Sequence, residues 1–509
     1  MKKVTLLFIA VLLMSNIRAQ DITDAVRYST DEIEGTARFK SMSGAFGALG
    51  GDLSAININP AGSAIFSNSH AGISLGVFGK DNTVNFFNGV DNTSDSNLDI
   101  NQAGAAFVFQ NVNPNSKWKK YVLGIAYDRI GNFDDEWSAN GINPTNTIGQ
   151  YFEEFANGLR LDEISALPGE TISQAYSEIG SAFGFGNQQA FLGFESFILD
   201  PVIDAGDNTT YINNITGGNY NQRFFLSSTG FNGKLGFNLS GQYGEKIHLG
   251  VNVNTHFLNF ERSTFLIENN SNTNSFISRV GFENNLRTTG SGISFQLGSI
   301  IKVTKALRVG LAYNSPTWFN ISEETTQSIE TTRRINDDTN PLLIIAPDVV
   351  NIFPEYRLQT PGKVTGSLAY VFGSRGLLSF DYSRKDFSQT KFRPQSDAFF
   401  SFQNNQIEDL LGVSNTYRIG GEYRHKQVSF RGGYRMEESP YRDDNFFGDL
   451  TGYSLGLGYK FGNATLDLAF SQSEREINAQ LFSNSQAFSD AAQIDTRFTD
   501  VVLTLAFNL

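Results

Sequence analysis

The sequence predicts an all-β fold: a transmembrane antiparallel β-barrel of about 14 strands, with an N-terminal hatch in the lumen and a long, partly helical extracellular loop. Three observations lead there. Large apolar residues alternate with polar or small ones through most of the chain, and the connections between these stretches alternate between short and long. The chain also opens with an export signal, after which no apolar run approaches the roughly 20 residues that a spanning helix needs.

The signal comes first. Met1-Lys2-Lys3 is a short positive start, Val4 to Met14 is apolar, and Ile17-Arg18-Ala19 before Gln20 reads as a small-residue cleavage site. A stretch this short cannot cross a bilayer, so residues 1–19 are expected to be a secretory signal peptide. Composition narrows the class further. Of 509 residues, 18% are charged and 13% aromatic, with 49 Gly and 45 Phe, against roughly 25% charged residues in average usage. The net charge is −13, which leaves no basic face for nucleic acid. With no Cys and 4 scattered His, disulfides, thiolate metal centres and histidine metal centres are not expected, and neither is a cofactor.

The strands follow from the period-two pattern. In Ala464 to Ser471 the large apolar residues fall on even numbers and the polar or small ones on odd numbers. The same dyad marks Tyr453 to Phe461, Val428 to Arg435, Val364 to Phe372, Ile247 to Asn254 and Val122 to Asp128. The segments begin near His70, Asn101, Lys119, Asn221, Lys246, Arg279, Ala306, Glu355, Arg375, Asn415, Gln427, Leu450, Asn463 and Thr496. Every second connection is a tight turn (Asn113 to Ser116, Tyr243 to Glu245, Thr304-Lys305, Gly373-Ser374, His425-Lys426, Gly462-Asn463). The others are expected to be long polar loops, among them Asp81 to Asp99, Asn269 to Ser278, Arg333 to Pro354, Pro394 to Leu411, Glu437 to Gly448 and Glu474 to Asp495. Short periplasmic turns and long outer loops are the rhythm of an outer-membrane barrel, whose outer face meets membrane lipid and lipopolysaccharide. The last alternating stretch, from Val501, runs to Leu509 and would close the barrel.

Residues 20–69 precede the first strand, and 70–509 make up the barrel. The leading part is dense in Gly and Ala yet carries Ile33, Phe39, Phe46, Leu49, Leu53, Ile56 and Phe66, so it reads as a plug threaded through the lumen rather than a disordered tail. Its segments Gly35-Thr36-Ala37-Arg38, Ser43-Gly44-Ala45-Phe46-Gly47-Ala48-Leu49-Gly50-Gly51-Asp52 and Asn59-Pro60-Ala61-Gly62 closely resemble the hatch of the FadL/TodX outer-membrane channels for long-chain fatty acids and hydrocarbons. The branch it looks most like is that of Gram-negative bacteria of the Bacteroidota type. The resemblance implies that Asn59, Pro60, Ala61 and Gly62 anchor the hatch, that ligand displaces it, and that ligand leaves sideways at a kinked third strand. Ile130, Gly131 and Asn132 interrupt the third segment where that kink would fall.

The connection 140–219 is too long for an ordinary loop. Ile148, Tyr151, Phe152, Phe155 and Leu159 share one helical face, and Phe183, Phe185, Phe191, Phe194 and Phe197 follow. Two readings stay open: a small core of the loop's own, or an external hydrophobic groove lined by Phe152, Phe155, Leu159, Phe183, Phe191 and Phe194. The wall charges Asp381, Arg418, Glu422, Arg424, Arg431, Arg435 and Asp467 are expected to bond the plug and lumen water rather than to catalyse.

The function expected is passive uptake of a hydrophobic small molecule such as a long-chain fatty acid, by capture in the outer loops, hatch rearrangement and lateral release, with both mature termini periplasmic. The alternative is an interaction barrel that works with other outer-membrane proteins as a subunit or substrate shuttle of a secretion or assembly machine. No enzyme is expected. A lipid hydrolase would need a His beside a Ser on the outer wall, for which His256 and His425 are the candidates.

Overall fold

A computed structural model describes residues 22–335, 341–482 and 485–509. The expected signal peptide, 1–19, lies outside the described residues. Fourteen wall strands form one antiparallel ring. They are β1 (His70–Phe86), β2 (Gly89–Gln110), β3 (Trp118–Asn132, continued by Asp135–Asn143), β4 (Tyr220–Tyr243), β5 (Ile247–Asn269), β6 (Ile277–Lys302) and β7 (Leu307–Asn314, continued by Trp318–Arg333). The ring continues with β8 (Tyr356–Gln359, then Lys363–Val371), β9 (Gly376–Asp386), β10 (Val413–His425), β11 (Val428–Glu437), β12 (Leu450–Phe461), β13 (Ala464–Gln480) and β14 (Ala491–Asn508). β14 pairs with β1 from His70↔Asn508 to Asn85↔Gln493, so the sheet closes on itself.

Alternation sets which face each residue takes. On β14, Val501, Leu503 and Phe507 stand outward at 41–45% exposure, while Val502, Thr504 and Ala506 are buried within. The outward set forms an apolar belt around the ring, as in Leu249, Val251 and Val253 or Leu455 and Leu457, and rings such as Trp118, Tyr370, Tyr423 and Tyr459 lie toward its margins. That is a surface suited to lipid.

The tight turns fall where the sequence puts them, but on the outer side two of the expected loops are largely strand. The expected loop Asp81 to Asp99 is strand: β1 and β2 run on as a long hairpin to a two-residue turn at Phe87-Asn88. Likewise β13 continues to Gln480 and β14 resumes at Ala491, so most of Glu474 to Asp495 is ladder. Both misreadings have one cause. Above the bilayer both faces of a strand meet water or polar loops, so the apolar dyad that reveals a strand is lost although the hydrogen bonds go on.

Inside the ring the chain begins with α1 (Ile22–Ser29), followed by a strap, residues 30–36, and a single helical turn, α2 (Ala37–Lys40). Two 3₁₀ turns, Ser54–Asn57 and Pro60–Ile65, complete the hatch. α1 packs Ala25, Val26 and Tyr28 against Leu258, Phe260, Phe319 and Tyr356 of the wall and against Phe400 and Ile407 of an outer-loop helix, α6 (Ala398–Leu410). α1 therefore sits in the outer half of the lumen, whereas Leu509 lies at the short-turn end, its N–H bonded to Ser69 O at 2.8 Å. The apolar face of α1 finds its partners in the outer half.

Between β3 and β4 the long loop carries α3 (Ile148–Ala156), α4 (Ile172–Phe183) and α5 (Phe185–Glu195), with a small strand pair, Leu199–Pro201 and Tyr211–Asn213. β3 continues to Asn143, so the loop proper is 144–219, slightly shorter than expected.

The hatch lies flush against the wall because wall glycines make room for its backbone. A Cβ on Gly298 would stand 2.0 Å from Asn59 Oδ1, and one on Gly250 would stand 2.4 Å from the Pro60 carbonyl carbon. The Gly250 contact is with hatch backbone, and at Gly298 both the Asn59 amide and the Pro60 ring would have to give way, so Gly298→Leu should unseat the Asn59-Pro60 turn at a cost of about 1–3 kcal/mol. The expected result is steady conductance in planar bilayers from a barrel that still migrates as folded, against a closed wild type.

Candidate functional site: hatch seat, lumen cavities and wall break

The Asn59-Pro60-Ala61-Gly62 turn is a three-way junction. Asn59 caps its own 3₁₀ turn by accepting from the Ala61 N–H at 3.1 Å. Its Nδ2 donates to Gly47 O in the hatch at 2.7 Å and to Ser299 O of β6 at 3.0 Å. Pro60 O accepts from Asn238 Nδ2 of β4 at 2.9 Å, and Ser63 Oγ bonds Ser240 Oγ at 2.6 Å. Gly62 O accepts from the Gly51 N–H at 2.9 Å, with Gly50 at φ +59° packed so close that a Cβ there would meet Gly62 O at 2.6 Å. One short segment thus joins two hatch turns to two wall strands.

Opposite it, charges seat the hatch. Arg38 donates to Glu422 at 2.9 Å; Glu422 also takes Arg431 at 2.7 Å and Arg424, and Arg431 reaches Asp467 at 2.6 Å. Asp381 accepts the Gly47 N–H at 2.9 Å. Thr504 Oγ1 accepts the Ala37 N–H at 2.6 Å. Of the wall charges singled out in the sequence, Asp381, Glu422, Arg431 and Asp467 serve the hatch seat. Arg435 bonds Glu437 and Ser473 higher in the wall, and Arg418 lines the lumen cavities.

Lys40 sits between two carboxylates, Glu34 at 3.0 Å and Asp500 at 2.8 Å. Burial pushes the Glu34 carboxyl up to about 7, more than Lys40 can pull it down, with Asp500 and Glu32 adding to the rise. Asp31 shows the opposite balance. Burial alone would raise it, but Lys363 at 2.9 Å and Lys385 at 3.5 Å hold its carboxyl well below the usual range.

Between β2 and β3 the wall has an interval without a ladder. β2 and β3 pair from Gln110↔Lys120 only as far as Gln102↔Asp128. Beyond that point β2 pairs only with β1, and β3 only with β4. Ile130 is bulged there, between the pairs Arg129↔Gly233 and Gly131↔Asn232, and the strand breaks after Asn132. Ile130, Gly131 and Asn132 therefore do sit together at an irregularity in the third strand. Side chains span the gap: Arg129 to Asp99 at 3.0 Å, Thr93 Oγ1 to Glu136 O at 2.7 Å, and Asn97 to Asp134. The hatch supplies the rest, a contact that no local pattern announces. Glu32 N–H donates to Ile130 O at 2.8 Å, and Asn132 N–H donates to the Glu32 carboxylate at 3.1 Å.

Cavities meet at this strap. One of about 860 Å³ lies within the lumen, lined by Asp31, Lys234, Lys363, Lys385 and Arg418 among others. A second, of about 750 Å³, reaches the break at Asp95, Asn97, Asn132 and Asp134. Asp31, Glu32, Ile33 and Glu34 line both, so the strap is their shared partition.

The aromatics of the long loop form a core, as one of the two open readings has it, but a core shared with the wall and not the loop's own. Phe152 and Phe191 are fully buried and Phe155 nearly so, while Leu159 and Phe194 pack partly buried on the same cluster. Phe183 lies outside it, 37% exposed. The cluster draws in Phe282 from β6 and Phe482 from the β13–β14 loop, with ring centroids 5.1 Å apart for Phe152–Phe282 and for Tyr151–Phe482. These residues fill a closed outer core instead of lining an open groove, because distant strands bring enough apolar surface to cover them. Glu154 fixes the lid of that core by accepting Ser485 Oγ at 2.6 Å and the Gln486 N–H at 3.1 Å.

His256 does lie beside a serine, with Nε2 2.9 Å from Ser294 Oγ, but the pair faces the lumen rather than the outer wall. The His256 Nδ1 has no partner among the described residues, so no acid orients the ring as a hydrolytic triad requires. His425 is exposed at the end of β10.

A closed 14-stranded ring with its own N-terminal hatch seated inside defines an outer-membrane channel. Residues 196–509 match the family model described as outer membrane protein transport protein (OMPP1/FadL/TodX), and the chain belongs to that family. Among solved structures it resembles a Pseudomonas aeruginosa FadL homologue, with a TM-score of 0.54 at 12% identity over 94% of this chain and 99% of that one. It also resembles the Pseudomonas putida toluene transporter TodX, with a TM-score of 0.53 at 12% identity over 94% and 99% of the two chains. A search of curated proteins finds no match. At these identities the structural likeness speaks for the fold.

Two outcomes should follow from the seat. Glu422→Gln leaves Arg38 and Arg431 buried without their shared charge and should cost about 3–5 kcal/mol, measured by chemical denaturation, with more hatch proteolysis from the periplasmic side. For Glu34 the folded carboxyl titrates near 7 against an ordinary 4.5. The folded state therefore holds the proton more tightly, and stability should rise as pH falls from about 7 towards 4.5. Melting curves across that range should show the slope in the wild type and a flatter one in Glu34→Gln.

Proposed function

We propose that this family member takes up hydrophobic small molecules passively, long-chain fatty acids among them, and releases them sideways into the outer membrane. The observation that carries this reading is the interval above Gln102↔Asp128, where the wall has no backbone ladder and a lumen cavity reaches the gap. In lipid an unpaired strand edge is costly. Its retention here, covered by exchangeable side-chain bonds and by the hatch strap, is what a passage through the wall would require. The path begins at the loop core around Phe152, Phe155 and Phe191, which would admit an apolar ligand by exchanging protein contacts for ligand contacts at little cost per Å². It continues past the hatch, whose seat is polar and can exchange its bonds with water. It ends at Ile130, Gly131 and Asn132. The exposed apolar belt supports membrane lipid and lipopolysaccharide as the surroundings into which ligand is delivered.

Closing the gap covalently tests the route. The native chain has no Cys, so Asn97→Cys with Asp134→Cys creates a single oxidisable pair across the break. In proteoliposomes the oxidised double variant should take up labelled laurate at least about tenfold more slowly than its reduced form, with each single variant unaffected by oxidant. Equal rates in the oxidised and reduced forms would remove the lateral route.

A further inference from the structure

The net charge of −13 argues against a basic face, yet the fold gathers one at the end of the short turns. Each of the stretches 111–120, 243–248, 302–308, 373–376, 423–428 and 460–464 forms or flanks a turn there and carries Lys or Arg, and Glu245 is the one carboxylate in all six. The outer side has the opposite sign: the loop 144–219 holds ten Asp or Glu and a single cation, Arg160. The acidic excess of the chain thus lies on the side of the long loops and hides a positive rim on the other.

Alternation decides which way the cations of that rim point. Lys120 precedes Tyr121, Lys302 stands between Ile301 and Val303, Arg424 follows Tyr423, and Lys460 stands between Tyr459 and Phe461. These apolar and aromatic neighbours are on the lipid face, 42–56% exposed. The cations of β3, β6, β10 and β12 therefore point into the mouth of the barrel. Arg308 of β7 joins them, donating to Leu49 O on the underside of the hatch at 2.9 Å, and Lys120 donates to Phe66 O beside it. Among the described residues of this group Arg424 alone is ion-paired, with Glu422.

We propose that this mouth is a docking site for an acidic segment, rich in Asp and Glu, of a soluble periplasmic protein. Charge of one sign around a concave opening focuses a positive potential on the space below the hatch and draws in a partner of the opposite sign. Cations on β3, β6, β7, β10 and β12 stand around the ring, so one small anion meets only one or two of them, whereas a run of carboxylates meets them together. Lipid phosphates lie outside the aromatic girdle, and the wall itself separates them from the inward cations. Lys120, Lys302, Arg308, Arg424 and Lys460 are the inner contacts; Lys117, Lys246 and Lys305, exposed at the turn tips, add attraction at longer range. The proposal goes beyond the channel reading and stands or falls apart from it, since it concerns the periplasmic face and no step of uptake.

The test uses the full-length protein in phosphatidylcholine nanodiscs, titrated with a fluorescent peptide of alternating Glu and Gly, about twelve residues long, and read by anisotropy, with the Gln-Gly counterpart as neutral control. The acidic peptide should bind saturably, one per barrel, and lose at least about tenfold in affinity between about 0.05 and 0.5 M NaCl, while the neutral one does not bind. Lys302→Gln with Lys460→Gln removes two inward cations whose side chains have no bonded partner among the described residues, and should weaken the acidic peptide at least about tenfold. Lys117→Gln with Lys305→Gln, at the turn tips, should weaken it no more than about threefold. Unchanged heat-modifiable migration on gels shows that each variant is folded. Equal losses from the two pairs, or no loss from either, would overturn the mouth as the docking site. Native mass spectrometry of nanodiscs that also contain phosphatidylglycerol tests the other occupant. If the wild type retains that lipid in preference to phosphatidylcholine and Lys302→Gln with Lys460→Gln releases it, the inward cations hold lipid headgroups and the proposal is overturned; equal retention by both supports the acidic protein segment.

Discussion

Everything in this molecule answers to one constraint: a backbone N–H or C=O facing hydrocarbon must be paired within the protein. Most strand-to-strand seams meet it by backbone ladders, including the seam between β14 and β1 that closes the ring. The seam between β2 and β3 meets it only up to Gln102↔Asp128. Past that point the obligation passes to side chains such as Arg129 and Asp99 and to a segment that is not wall at all, the Glu32 strap. The hatch is thus structurally part of the barrel wall at one place. Any movement of the strap is felt there first.

The two halves of the lumen are filled by different physics. The periplasmic half is a polar joint, with Arg38, Glu422, Arg431 and Asp467 in one chain of charges and Asn59 bridging hatch and wall in another. Glycines such as Gly250 and Gly298 let main chain lie on main chain, so those bonds form at short range. Such a joint is specific but exchangeable, because water can replace each bond as it opens. The outer half is mainly an aromatic core, in which Phe152, Phe282 and Phe482 pack ring on ring, with a few buried polar pairs such as Tyr176 and Gln327. An apolar molecule can replace contacts in the second kind of interior, and a charged group can compete in the first.

Much of this was legible in the sequence. The dyad around Ala464 to Ser471 assigns Leu466 and Leu468 to lipid and Asp467 to the lumen, and the structure places them so. The short turns and the Gly-rich hatch segment were equally readable, since the lipid face, the tight turns and close backbone contact each demand a particular residue type at a particular position. The outer parts of β1, β2, β13 and β14 escaped because alternation records a difference between two faces, and above the membrane that difference vanishes.

The tertiary structure decided the rest. The helical face of Phe152 and Phe155 is local and was foreseen; whether it lines a groove or fills a core depended on Phe282 and Phe482, more than a hundred residues away. Gly131 announces an irregularity, but only the fold shows that Glu32 covers it. Arg418 and Asp381 read alike as lumen charges, yet Asp381 is bonded to the hatch while Arg418 lines the lumen cavities. Local sequence fixes propensity and facing, which depend on neighbours a few residues apart; pairing between hatch and wall depends on where ring closure brings residues that are hundreds of positions apart.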